Sequence, residues 1–261
     1  HTLTNQLIER ITRSDRLIVA GANQSARAII TSSIAHNKKI PLLIIVPTME
    51  DASRWYSLLQ NMGWEKCHIY PCSESSPYES FDLSSEICWG QLQVLSDLIG
   101  DSDNKSIAII ATERALQPHL PSPNILKKKC LTIKKGYKLD LDNLCRQLNE
   151  LGYERKNTSD QEGQWSRRGD IIDIFPVSEE LPIRLEFFGD DLDKLKEYDP
   201  ITQRSLESIS NITITPTGFG PLIADNLRED LPLDLEKLIT NEQFKLMIEG
   251  HVPTGINRLS G

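Results

Sequence analysis

From Trp165 to Asp190 apolar and charged residues alternate between Gly and Pro punctuation, and no other stretch constrains the fold as tightly. Trp165-Ser166-Arg167-Arg168-Gly169-Asp170-Ile171-Ile172-Asp173-Ile174-Phe175-Pro176 and Pro182-Ile183-Arg184-Leu185-Glu186-Phe187-Phe188 both read as β-strand sequence, with a short acidic turn between them. Side chains two apart in a strand share a face. Ile183, Leu185 and Phe187 therefore form a core face, and Arg184, Glu186 and Phe188 point to solvent. An aromatic beside an arginine is the composition in which protein-binding hot spots are enriched. A plainer arrangement also fits the pattern: Phe188 tucked under a neighbouring loop, and Arg184 paired with Glu186.

The rest of the chain falls into place around this ribbon. Leu3 to Ile11 has helical spacing, Arg16 to Ala20 reads as a strand, and Ser25 to His36 as a helix. The apolar run Pro41 to Pro47 suits a parallel strand buried on both faces. A helix over Glu50 to Met62, a strand at His68 to Tyr70 and a loop over Ser73 to Leu83 follow. A helix to about Ile99, a strand over Ser106 to Thr112 and the start of a helix at Glu113 come next. Strands alternating with helices imply βαβ units, so residues 1–120 are expected to form an α/β domain with a parallel sheet. Pro118, Pro121 and Pro123 mark a boundary. Strands at Cys130 to Ile133, Lys194 to Tyr198 and Ile209 to Ile214, with a helix over Leu139 to Leu151, make 121–215 a small α+β domain built on an antiparallel meander. Residues 216–261 are broken by Gly and Pro, with one helix expected near Glu242 to Glu249.

Composition narrows the function classes. The 261 residues carry a net charge of −8, against a general nucleic-acid coat. Between Pro123 and Arg168, however, 11 basic residues face 6 acidic ones, and Lys127 to Lys135 is a candidate nucleic-acid patch. No apolar run reaches membrane-spanning length, and no signal peptide pattern opens the chain. Five scattered cysteines suit free thiols in a reducing cytoplasm and form no zinc pattern. The strand-to-helix turn Gly21 to Ala28 sits where a phosphate loop would. Ala26 replaces its second glycine, Arg27 its lysine and Ala28 its Ser/Thr. Without the hydroxyl there is no protein ligand for Mg²⁺, so neither nucleotide nor metal is expected at this turn. No catalytic constellation appears elsewhere.

The middle motifs carry a resemblance. Leu151-Gly152-Tyr153-Glu154-Arg155, Gly163 to Pro176, Pro182 to Asp190 and Tyr198-Asp199-Pro200-Ile201-Thr202-Gln203-Arg204-Ser205-Leu206 closely resemble the UvrB-like N-terminal module of bacterial transcription-repair coupling factors. Pro77 to Glu79, Ser84 to Ile87, Thr112 to Leu116 and Gly250 to Ile256 extend the likeness over nearly the whole chain. The resemblance implies a P-loop, helicase-like parallel-sheet domain (1–120), an inserted α+β domain that binds UvrA (121–215), and a return segment completing the first domain (216–261). It implies that Arg168, Arg184 and Phe188 contact UvrA, with Glu186 on the same strand face. ATP, Mg²⁺, DNA and RNA polymerase would belong to other domains of such a protein, which is cytoplasmic and bacterial, and this part would be a non-catalytic monomer. UvrB itself has an intact phosphate-loop lysine and a Tyr-rich hairpin, and neither is matched here. The rival readings are a nucleotide-dependent DNA-binding enzyme fragment and a nucleic-acid-binding module acting through Lys127 to Lys135.

Overall fold

A computed structural model describes residues 9–10, 16, 18–72, 85–100, 106–116 and 120–222. The chain divides into two compact units, one of His1–Ser73 with Asp97–Pro118 and one of Glu74–Ser96 with His119–Gly261. The expected helices near Leu3 and Glu242, the loop over Ser73 to Leu83 and the return segment beyond 222 lie almost wholly outside the described residues.

In the first unit, strands Leu42–Val46 (β1), Lys66–Tyr70 (β2) and Ile107–Thr112 (β3) form a parallel sheet in the order β1-β3-β2. Helices Gln24–Lys38 (α1) and Met49–Leu59 (α2) are capped by Asn23 and Thr48, whose side chains accept from Ala26 N and Asp51 N. Ala35, Ala52 and Leu59 from these helices share a core with Ile44, Val46, Ala108 and Ile110 of the sheet. Three expectations fail here. The strand buried on both faces is β3, all six of whose residues are buried, whereas β1 lies at the edge of the sheet among the described residues, with Leu43 and Ile45 about half exposed. An apolar run shows what a strand tolerates on each face, not how many neighbours it has. Ile18 to Ala20 belongs to no strand, and Ile18 is 77% exposed. β-propensity is a fit to a half-covered pleated surface, and among the described residues this segment has no such surface. The helix expected from Glu113 is a 3-10 turn, Arg114–Leu116.

Helix Ser85–Ile99 (α3) is followed by two further helices, both in the second unit: Pro123–Lys129 (α4), capped by Ser122, and Leu141–Glu150 (α5), capped by Asp140. Leu131–Lys134 (β4) precedes a six-stranded sheet of Glu154–Arg155 (β5), Gln164–Arg168 (β6), Ile171–Ile174 (β7), Ile183–Phe188 (β8), Asp191–Tyr198 (β9) and Ser205–Ser208 (β10), in the order β10-β9-β8-β7-β6-β5. Strands β6 to β10 are the antiparallel meander. Asn211–Ile214 (β11), expected to extend it, instead returns to pair with β4. Leu141, Leu144 and Leu148 recur at helical spacing, so α5 lays one apolar face over Trp165, Ile172, Ile174, Ile183, Leu185 and Leu195. This core fixes the inner face of the sheet. Truncating a wholly buried member such as Leu148 to alanine is expected to cost ~2–5 kcal/mol. Among the described residues no helix is long and apolar enough to cross a membrane.

Candidate functional site

Two hairpins place the candidate residues at one end of the sheet. Arg168 is the last residue of β6 and Phe188 the last of β8, and each is followed by a two-residue Gly-Asp turn. Gly169 (φ +61°) and Gly189 (φ +63°) occupy the first turn position, which in type II′ hairpins requires positive φ. The two turns are neighbours, because Phe187 N donates to Asp170 O at 2.9 Å. With turns this short the register is fixed. Across the ladder, Arg168 faces Ile171, Ile171 faces Glu186 and Glu186 faces Lys194. Two pairs further from the turns, Ser166, Asp173, Arg184 and Lys196 form the next row on the same face. Both rows lie on the face away from the core. They hold four cations and two carboxylates, so this face is positive in an acidic chain.

Inward and outward directions follow the alternation. Ile183, Leu185 and Phe187 are buried, and Phe188 is 83% exposed, which excludes the arrangement with Phe188 under a loop. Phe188 lines a cleft together with Lys135, Gly136, Asp191, Leu192 and Asp193. Backbone bonds link two of these segments: Gly136 N donates to Leu192 O and Leu192 N to Tyr137 O. A bulge in β9 at Asp193 shifts the register between Glu186 and Phe187 and keeps Phe188 outward opposite Asp191.

The charged members depart from the expected open face. Arg184 does not pair with Glu186. Its Nε and Nη2 donate to Asp173 Oδ1 and Oδ2 at 2.7 and 2.9 Å, and its side chain is only 13% exposed. Its guanidinium lies 4.6 Å from the Tyr198 ring centroid, and it also reaches Gln203 O and Oε1 at 3.3 Å. Arg184 is thus not a free guanidinium waiting in solvent. Glu186 is held by Lys194 at 2.9 Å and Lys196 at 3.5 Å. The Lys194 hydrogen bond, with the charge of Lys196, keeps its carboxyl below the usual range. Arg168 remains 54% exposed and donates one bond, Nη2 to Asp173 Oδ2 at 2.7 Å. Arg168 and Phe188 are therefore the more exposed members of the set.

Asp173 and Gln203 were not singled out from sequence. Asp173 is 2% exposed and accepts from both arginines. The signal was present: a two-residue turn after Arg168 pairs residue 166 with 173, bringing a carboxylate diagonal to Arg168. Gln203, at φ +60°, turns its oxygens towards Arg184, and no local pattern announces that conformation.

At the first unit's turn, Asn23 Oδ1 accepts from Ala26 N at 2.9 Å, Arg27 Nε donates to Ala22 O at 2.8 Å, and Ala28 is fully buried. Lys127, Lys128 and Lys129 form the last turn of α4, where cations complement the helix dipole. Burial pushes the thiols of Cys67, Cys88 and Cys130 up to about 11, as suits packed rather than reactive cysteines.

Residues 131–218, which take in β4 to β11 and α5, match the UvrB interaction domain family. The chain is similar to transcription-repair-coupling factors of Haemophilus influenzae (29% identical over 80% of the chain), Bacillus subtilis (29% over 76%) and Escherichia coli (30% over 76%). The matched stretch is 18%, 17% and 17% of those proteins, so the chain spans under one fifth of the length of the curated relatives it matches.

Proposed function

We propose, for a chain that carries a UvrB interaction domain over residues 131–218 and is related to transcription-repair-coupling factors, the role of a non-catalytic docking module for UvrA. One observation carries this reading: a phenylalanine 83% exposed at the tip of a hydrogen-bonded hairpin, at the same end of the sheet as a half-exposed arginine, inside the matched span. An apolar anchor on a fixed backbone, with a guanidinium on the same face, is what a hot spot requires, because little backbone entropy is lost on ordering it. Phe188 would enter an apolar pocket of UvrA, and Arg168 would meet a carboxylate at its rim. In this reading the module brings UvrA to RNA polymerase stalled at DNA damage in a bacterial cytoplasm. Contacts with polymerase and DNA, and ATP-driven translocation with Mg²⁺, would belong to the rest of a protein of the relatives' length.

The first unit is read as a degenerate phosphate-loop domain of the helicase type, without nucleotide. What supports this is the committed Ala26 N–H, the Arg27 side chain folded onto its own loop, and the buried methyl group of Ala28. The test of the docking role is hydrogen exchange on this chain with and without saturating purified UvrA. Slowed exchange over residues 167–171 and 186–194 is expected. Unchanged exchange there, with UvrA bound, would place the contact on another surface and overturn the reading.

A further inference from the structure

Arg184 lies on the docking face, yet each of its guanidinium nitrogens already has an acceptor. Nε and Nη2 form a fork on Asp173, Nη1 reaches Gln203 O and Nη2 also reaches Gln203 Oε1. Arg168 differs. Only its Nη2 is engaged among the described residues, on Asp173 Oδ2, and its side chain is four times as exposed, 54% against 13%. Both oxygens of Asp173 are taken up by the Arg184 fork, and Arg168 has a single point of attachment to one of them. Arginine and carboxylate favour the two-bond fork when nothing competes. Without Arg184, Asp173 would be free to close on Arg168 in that way and remove its donors from the surface.

We propose that Arg184 is a positioning residue, which forks onto Asp173 so that Arg168 keeps its Nε and Nη1 for a carboxylate on the partner. The trio of two guanidinium groups and one carboxylate has one uncompensated positive charge, and an acidic group of the partner completes it. This inference rests on the docking reading above.

The two claims separate in one set of titrations of this chain with purified UvrA. Arg184→Met keeps an unbranched stem against Tyr198 but releases Asp173. Arg168 then closes on Asp173, and affinity falls about tenfold or more. Arg184→Met combined with Asp173→Asn removes the carboxylate as well, Arg168 is released, and affinity returns to within about threefold of wild type. A side chain that merely touched UvrA gives no such recovery on a second substitution. A role confined to stabilising the sheet is separated by melting each variant, since it predicts affinities that follow the fraction folded, whereas positioning predicts the loss and the recovery among fully folded variants. Arg184→Lys, which keeps the charge and cannot fork, supplies the same comparison with and without Asp173→Asn if the methionine variant does not fold, as judged by circular dichroism. A double variant no tighter than its single parent overturns the positioning role, provided Phe188→Ala still weakens binding. Phe188→Ala binding like wild type overturns the docking reading itself.

Discussion

Replacing Asp173 with alanine removes the carboxylate on which two arginines converge. The site is 2% exposed and accepts three charge-assisted hydrogen bonds of 2.7, 2.7 and 2.9 Å. The consequences for the two partners differ. Arg168, at 54% exposure, turns to water, and its lost pair contributes under ~1 kcal/mol. Arg184, at 13%, is left with the Gln203 oxygens and the Tyr198 ring. Removing one partner of a buried pair typically costs ~3–5 kcal/mol, because the other charge stays desolvated. The lower end applies here, since Arg184 keeps neutral acceptors, so the expected loss is about 3 kcal/mol. For a unit of this size that lowers Tm by roughly 10 °C. The assay is thermal unfolding by circular dichroism, with urea unfolding to confirm an unchanged m-value. Asp173→Ala together with Arg184→Met removes both charges and is expected to be the more stable of the two variants. An Asp173→Ala melt within ~2 °C of wild type, or a double variant that melts below the single one, would refute the account of this network.

Two other perturbations follow from the same geometry. Glu186 has a carboxyl held below its unfolded value by Lys194 and then Lys196, so its contribution to stability is present above the unfolded pKa and is lost as pH falls through the folded one. The Tm difference between wild type and Glu186→Gln is therefore expected to be small but positive at neutral pH and to vanish in acid; a difference that grows on acidification has the wrong sign. At Gly21 to Ala28, where Asn23 and Arg27 engage the turn internally, calorimetric titration with Mg²⁺-ATP is expected to give no saturable heat. Saturable binding abolished by Arg27→Ala would revive a nucleotide site.

Parity was the legible part of this molecule. Period-two alternation alone assigned Ile183, Leu185 and Phe187 to the core and Phe188 outward, because a strand with one covered face has no other way to dispose of those side chains. What parity leaves open is the neighbour across the ladder. Arg184 and Glu186 share a strand face, which suggests that they pair, but the partners that hold them, Asp173 and Lys194, come from the flanking strands. The same limit explains β1, whose apolar run reads as a strand buried on both faces although it lies at the edge of the sheet among the described residues. It also explains β11, which leaves the meander to join β4 some eighty residues earlier. Local spacing encodes which face is apolar; sheet order is set by which surfaces remain to be covered once the core has closed.

The account's central claim is that Phe188 is an anchor for another protein and contributes nothing to the fold. At 83% exposure its ring buries little surface, so Phe188→Ala is expected to melt as wild type does. The decisive number is the ratio of dissociation constants for purified UvrA, Phe188→Ala over wild type. Loss of a hot-spot aromatic, ~2 kcal/mol or more, predicts a ratio of about 30 or higher. A ratio near one, with both proteins folded and wild type binding saturably, would contradict it.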